Sequence, residues 1–428
     1  MADLQSEFYD AFAMREEGNE LPMLFSIRDE AYHTQVRKPI SKDYSMSAIT
    51  QYEHQVDTMI SDFISCLVTK FDRNNDGELF CEMDDWVQFF SFDVISQITF
   101  GQAFGFLKSG SDLFGFMKLI EDRMDGQAPN AALPRFARLK HRLSLAIRQR
   151  DEFEAPFAKF VLSHIRDREQ RNMEGKPPTN SNNVNGDGHK DGSDFLDRFL
   201  EAKARAPETM DFSWLWCYSI TNVVAGSDTV AIPLRTIIYH VLSNPGIHQK
   251  LLSELRGANL KVPVSWDRAR QLPYLDAVIN EALRIHPPVG LGLERVVPET
   301  GLRLPNQEPI EAGVLVSINP WVMNRRFDVF GDDSDVFRPE RWLKSQTESG
   351  GEYQSRLTLM RRASFVFGYG PRTCIGKHIS LFEIYKCVPS LFLSLDMEIK
   401  DAEWWTWNNW FVRQKGLNVY LRSLDLGN

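Results

Sequence analysis

The sequence predicts a mainly α protein: one large helical domain, residues 1–428, with a small β-sheet region. Three observations carry this. Apolar residues recur at helical spacing over most of the chain. Stretches that alternate and are broken by turn residues appear only in the last third. No internal repeat and no second linker divides the chain. The exception is 172–194, an Asn/Gly/Asp-rich stretch with only Met173 and Val184 apolar, where a mobile loop is expected.

The helices follow in order. Met46 to Phe71 places Ile49, Val56, Ile60, Ile64 and Leu67 at helical intervals. Trp86 to Phe100, Leu143 to Arg168 and Phe195 to Ala204 are further candidates. Phe212 to Leu242 is apolar nearly all round, so it should run through the interior. Its most membrane-like part carries Asn222, Asp228 and Pro233, which favours a buried helix over a membrane span. Tyr274 to Ile285 puts Leu275, Val278, Ile279, Ala282 and Ile285 on one face, and His286-Pro287-Pro288 stops it. Gly301 to Asn319 reads as hairpins and Leu417 to Arg422 as a short strand.

Composition narrows the function. Lys plus Arg is 49 and Asp plus Glu is 58, a net charge of −9, so a general nucleic-acid binder is not expected. At 43% hydrophobic and 12% aromatic, the chain supports a large core. The five cysteines, Cys66, Cys81, Cys217, Cys374 and Cys387, include no C-x-x-C pair, which speaks against a zinc ribbon or a disulfide scaffold. The N-terminus shows no apolar h-region, so a signal peptide is not expected. Asp72, Asn74, Asp76 and Gly77 match the start of a calcium loop, but its twelfth position is Met83, so calcium binding is not expected.

The chemistry concentrates in FVFGYGPRTCIGKHISLFEI, where Phe367, Gly370, Arg372, Cys374 and Gly376 fit F-x-x-G-x-R-x-C-x-G. A thiolate that ligates iron needs a shielded loop and backbone N–H donors. Glycines let the chain turn tightly against a flat macrocycle. Arginine offers a fork for a carboxylate. The pattern resembles the haem-binding loop of the cytochromes P-450. The resemblance implies the cytochrome P-450 fold and a haem b held through the Cys374 thiolate, with Phe367 shielding the iron–sulfur bond and Arg372 on a propionate. For the other four cysteines a structural role is the favoured reading.

Further motifs agree, in the family's order. Glu281 and Arg284 form E-x-x-R on one helix face. With Arg341 of FRPERW they resemble the family's structural network ahead of the cysteine loop. Ala225-Gly226-Ser227-Asp228-Thr229 resembles the A-G-x-D-T element for oxygen activation. There the resemblance implies that Gly226 leaves room for O2, that the Thr229 hydroxyl helps pass a proton and that Asp228 relays protons from solvent. Pro233 cannot donate to the Thr229 carbonyl, which should loosen the helix there. His33 and Arg37, in His-x-x-x-Arg, and Arg295 are candidate propionate contacts, each weighed against a plain surface residue.

The resemblance covers Phe25 to Leu421 and is nearest in flavour to fungal enzymes of the microsomal class. It implies a monooxygenase that inserts one oxygen atom of O2 into a hydrophobic substrate, in secondary metabolism or detoxification. Val289 to Leu293 and Asn409 to Val412 would wall the substrate. Electrons would come from an NADPH-cytochrome P-450 reductase, docked on Arg361, Arg362 and Lys377. A haem-thiolate isomerase, dehydratase or nitric oxide reductase, or a truncated non-catalytic haem protein, are the alternatives. The chain begins where family members are about a hundred residues in, so the anchor and the first sheet strands are expected to be absent. Membrane contact without an anchor, at the endoplasmic reticulum surface or in the cytosol if the chain is complete, is the matching expectation.

Overall fold

The computed structural model describes residues 4–16, 19–21, 23–75, 79–134, 136–137, 139, 155–174, 193–305, 308–401 and 404–424. Most of the segment expected to be a mobile loop, 175–192, lies outside them, as do 143–154 of one expected helix and 76–78 of the calcium-like loop.

The helices that position the site are α1 (Glu30–Arg37), α2 (Glu53–Phe71), α3 (Met83–Phe100), α4 (Phe116–Asp125), α5 (Gln127–Ala132), α6 (Ala155–Met173), α7 (Phe195–Arg205), α8 (Phe212–Leu242), α9 (Pro245–Gly257), α10 (Pro273–Ile285), α11 (Gly350–Ala363) and α12 (Lys377–Ser394). The near-uniform apolarity of α8 has the expected consequence. It passes through the core and packs on α3, α7, α10 and α12. Asp211 caps its start by accepting from the Trp214 N–H at 3.2 Å. Asp194 and Asp197 form a capping box on α7, and the Arg168 guanidinium of α6 pairs with both carboxylates. Among the described residues, no helix is long and apolar enough to cross a membrane.

Among the described residues, ten short strands accompany them: β1 (Leu4–Gln5), β2 (Met14–Glu16), β3 (Asn19–Leu21), β4 (Cys81–Glu82), β5 (Arg295–Val296), β6 (Leu315–Val316), β7 (Leu395–Ile399), β8 (Trp405–Asn408), β9 (Val412–Lys415) and β10 (Asn418–Ser423). Every ladder between them is antiparallel. One sheet has the order β1-β5-β6, with Leu4 opposite Val296 and Gln5 opposite Arg295. The N-terminal residues thus give an edge strand to this sheet. The hairpins expected in 301–319 reduce to a Leu302–Ile310 bridge and β6. The Asp72 carboxylate of the calcium-like stretch accepts from the backbone N–H groups of Asn74 and Ser423, which ties the end of α2 to β10.

Two histidines, the buried His286 and the half-buried His240, set an acid limit on this packing. Burial, with like charge from His286 next, lowers His240 from 6.5 to about 4. Burial likewise lowers His286 to about 4. The unfolded chain takes up these protons first as pH falls through 6.5, and the folded chain only near 4. Stability is therefore expected to drop between those values, by up to about 3 kcal/mol per ring. His240 stacks on Phe337 with centroids 4.4 Å apart, so His240→Phe keeps the stack and removes the titration. Unfolding midpoints taken across that window should fall less steeply for the variant; parallel curves would refute the assignment.

Candidate active site

A cavity of about 320 Å³ lies where α8, the start of α12 and the turns after α10 meet. Cys374 opens onto it. The loop before it is bent by Gly370, whose φ of 71° suits glycine, and is closed by the Cys374 N–H donating to the Phe367 carbonyl at 2.9 Å. α12 begins three residues later, so its positive end faces the sulfur. Burial pushes the Cys374 thiol up. The backbone N–H groups of Gly376 and Lys377 and the charges of Arg37 and Lys377 pull it back.

Cations gather at the same cavity. His33, Arg37, Arg295, Arg372 and Phe367 all border it. Arg37 donates from Nη2 to the Thr373 carbonyl at 3.0 Å, and Arg295 from Nη1 to the Glu294 carbonyl at 2.8 Å and to Tyr9. Arg372 donates from Nε to Glu30 at 2.6 Å. Its Nη2 also lies in ion-pair contact with Glu30, but its Nη1 is buried without a hydrogen-bond partner among the described residues, and so is His33 Nδ1. Burial, then the neighbouring charges of Arg372 and Arg37, hold His33 down at about 4, so it is neutral at pH 7. Unsatisfied donors on buried arginine call for an acceptor, and two propionate carboxylates suit this cluster. A Cβ on Gly376 would meet nothing within 4 Å. The donor set and the open face of the loop therefore fit a haem.

The second half of the motif set sits on α8. Ala225 and Thr229 border the cavity, and the Thr229 hydroxyl donates back to the Ala225 carbonyl at 2.6 Å. Asp228 turns away from the cavity. Its Oδ1 accepts from Gln88 Nε2 of α3 at 2.9 Å and its Oδ2 from Arg413 Nη2 of β9 at 3.1 Å. Arg413 also lies within 3.6 Å of Glu121 and 3.4 Å of Asp125 on α4. Gly226 departs from its expected reason. A Cβ there would stand 2.7 Å from Ile95 Cγ1, so the missing side chain serves the close approach of α8 to α3 rather than room for O2.

The structural network is complete. Glu281 and Arg284 are fully buried. Glu281 accepts from Arg284 Nη2 and Nε at 2.8 Å, Arg341 Nε at 2.9 Å, Trp342 Nε1 at 2.9 Å and the Arg338 N–H at 2.8 Å. Arg284 in turn donates to the carbonyls of Asn324, Ser334 and Val336. Sequence reasoning missed Trp342, Asn324, Glu30 and Arg413, which carry no local signal. Both expected wall segments reach the cavity, through Val289 and Leu293 and through Trp410 and Phe411.

Residues 15–420 match the family described as Cytochrome P450. The chain belongs to the cytochrome P450 family. A cytochrome P450 monooxygenase of Aspergillus terreus (strain NIH 2624 / FGSC A1156) is 37% identical to this cytochrome P450 over 398 residues, 92% of this chain and 77% of the relative. The cytochrome P450 monooxygenases pkfB and cicH of Emericella nidulans are 37% and 35% identical, each over 98% of this chain and covering 78% and 80% of themselves. The protein is a monooxygenase-type oxidoreductase, of a family that binds haem through a cysteine thiolate.

Proposed function

We propose that the chain inserts one oxygen atom of O2 into a hydrophobic organic substrate. It would use a haem b held by Cys374 and electrons from NADPH through a reductase, in secondary metabolite synthesis or detoxification. The observation that carries this is Cys374. It is a cavity-facing thiol at a helix N-terminus, below a helix turn that presents Thr229, in a cavity whose other walls are mostly apolar. When bound, the haem supplies an electron-rich iron centre that activates O2.

The remaining work falls to the chain's own groups. Gly376 and Lys377 N–H groups temper the sulfur. Arg372, Arg37, Arg295 and His33 hold the propionate edge. Thr229 Oγ presents its lone pairs to the cavity while its proton is lent to Ala225, and turning that O–H inward delivers a proton. Pro233 leaves the Thr229 carbonyl without a helical donor, which loosens the helix beside this hydroxyl. Asp228 stands one residue back with its oxygens held by Gln88 and Arg413, so it relays a solvent proton to the hydroxyl only after leaving those partners. Arg361 and Arg362 lie exposed at the end of α11, on the cysteine-loop side, and suit an acidic reductase face.

The test couples the haem-loaded protein to reductase, NADPH and isotope-labelled O2 over a panel of hydrophobic compounds. The wild type should transfer label to product. Thr229→Ala should keep its haem spectrum, yet raise the share of NADPH lost as hydrogen peroxide several-fold. NADPH consumption without labelled product from the wild type would refute the reading, and unchanged coupling in the variant would remove Thr229 from it.

A further inference from the structure

The roof of the cavity, where α5 borders it, holds one polar group that no described residue satisfies. Gln127 opens α5 and is only 4% exposed. Its side chain borders the cavity, yet its Oε1 accepts no hydrogen bond. A buried unpaired acceptor costs about 1–3 kcal/mol, so a ligand that brings a donor recovers that loss. The last torsion of a glutamine is soft, and the amide can turn its oxygen to meet such a donor.

Around it the roof is aromatic. α5 packs on the 3-10 turn Glu7–Phe12. Phe12 stands against Trp410 with ring centroids 4.3 Å apart, and Phe25 lies 5.2 Å from Phe12 and 5.6 Å from Trp410. All three rings border the cavity, as does Met124 one turn before Gln127. Ring faces, ring edges and a thioether are the partners that a flat π-system prefers. Gln5 Oε1 is also buried and unpaired, but Gln5 pairs across the strands with Arg295 and belongs to the cation end.

We propose that this roof receives an aromatic substrate bearing a free hydroxyl group, whose O–H donates to Gln127 while its ring lies against Phe12, Phe25 and Trp410. The substrate class rests on the monooxygenase reading above. A hydroxyl fits better than the other donors and acceptors. An ammonium would lose its hydration against apolar walls, beside a cavity already lined with arginines. A carboxylate brings only acceptors to an acceptor, and Arg123, which also borders the cavity, already has an interaction of its own.

Calorimetric titration of the haem-loaded protein with 4-phenylphenol and with biphenyl tests this. The wild type should bind the phenol about five- to tenfold more tightly, the worth of one net hydrogen bond. Gln127→Met keeps the shape and removes the acceptor. It should weaken the phenol to the level of biphenyl and leave biphenyl unchanged, with no loss of thermal stability because an orphaned group is gone. Trp410→Leu should weaken both probes by the same factor. Equal binding of the two probes by the wild type, a preference that survives Gln127→Met, or tighter binding of biphenyl-4-carboxylate than of the phenol would overturn the proposal. The absorption band of the reduced, CO-bound protein reports the haem–thiolate reading separately. A protein that shows that band without the phenol preference loses only the roof assignment.

Discussion

Cys374→Ala is expected to abolish both the strongly red-shifted Soret band of the reduced, CO-bound protein and all oxygen transfer. No other sulfur can stand in. Among the five cysteines, only Cys374 opens onto the cavity. Cys81, Cys217 and Cys387 are buried, and burial pushes the thiols of Cys81 and Cys387 up, away from the thiolate that a metal needs. The loop itself should survive, because its closing bond runs from the Cys374 backbone N–H to Phe367 and not through the side chain. The arginine cluster also survives, so the variant should still take up some haem and show an unshifted band. Cys374→Ser repeats the experiment with a side chain that keeps the volume and a polar atom, and should likewise give no shifted band. Absorbance spectra and haem content per chain decide the matter. A shifted band in either variant would mean that sulfur from elsewhere reaches the iron and that the cysteine loop has been misassigned.

The cysteine loop, the Glu281 helix and the span of α8 were legible in the sequence because each is a local pattern: fixed spacings in ten residues, a three-residue offset on a helix, and a long run that is apolar nearly all round. What stayed hidden is what depends on distant partners. Asp228 reads as a solvent relay beside Thr229. Its charge partner Arg413 is 185 residues away, and its amide partner Gln88 is 140 residues away. Arg372 is fixed by Glu30, 342 residues earlier. Gly226 looked like a gap for O2, because the sequence cannot show that Ile95 of α3 presses on the same point. Two-residue strands such as β1 and β5 have too few residues to show alternation, so the sheet that sets Arg295 against the cavity left only a faint trace.

Glu281→Gln should be the most damaging single change outside the cysteine loop. The substitution is nearly isosteric, so packing is not at issue. What it removes is the carboxylate shared by two buried guanidiniums, Arg284 and Arg341, with side chains 0% and 2% exposed. Breaking a buried pair from one side costs about 3–5 kcal/mol, since the partner's charge is left uncompensated. Here Arg284 loses the carboxylate it is paired with and Arg341 keeps only Asp333, at 3.1 Å, while both also hold backbone carbonyls of the 324–336 stretch in place. A typical domain is stable by only about 5–15 kcal/mol. The variant should therefore unfold at a much lower urea midpoint, express poorly, and retain little haem, because the segment that leads to the cysteine loop is no longer pinned. Lys118–Asp122 makes the contrast. That pair is close, at 2.9 Å, but both side chains are more than half exposed, and water already satisfies them. Asp122→Asn should leave the midpoint where it was. If Glu281→Gln behaved like Asp122→Asn, the network would be incidental to the fold, and the order of the cysteine loop would have to come from contacts other than these arginines.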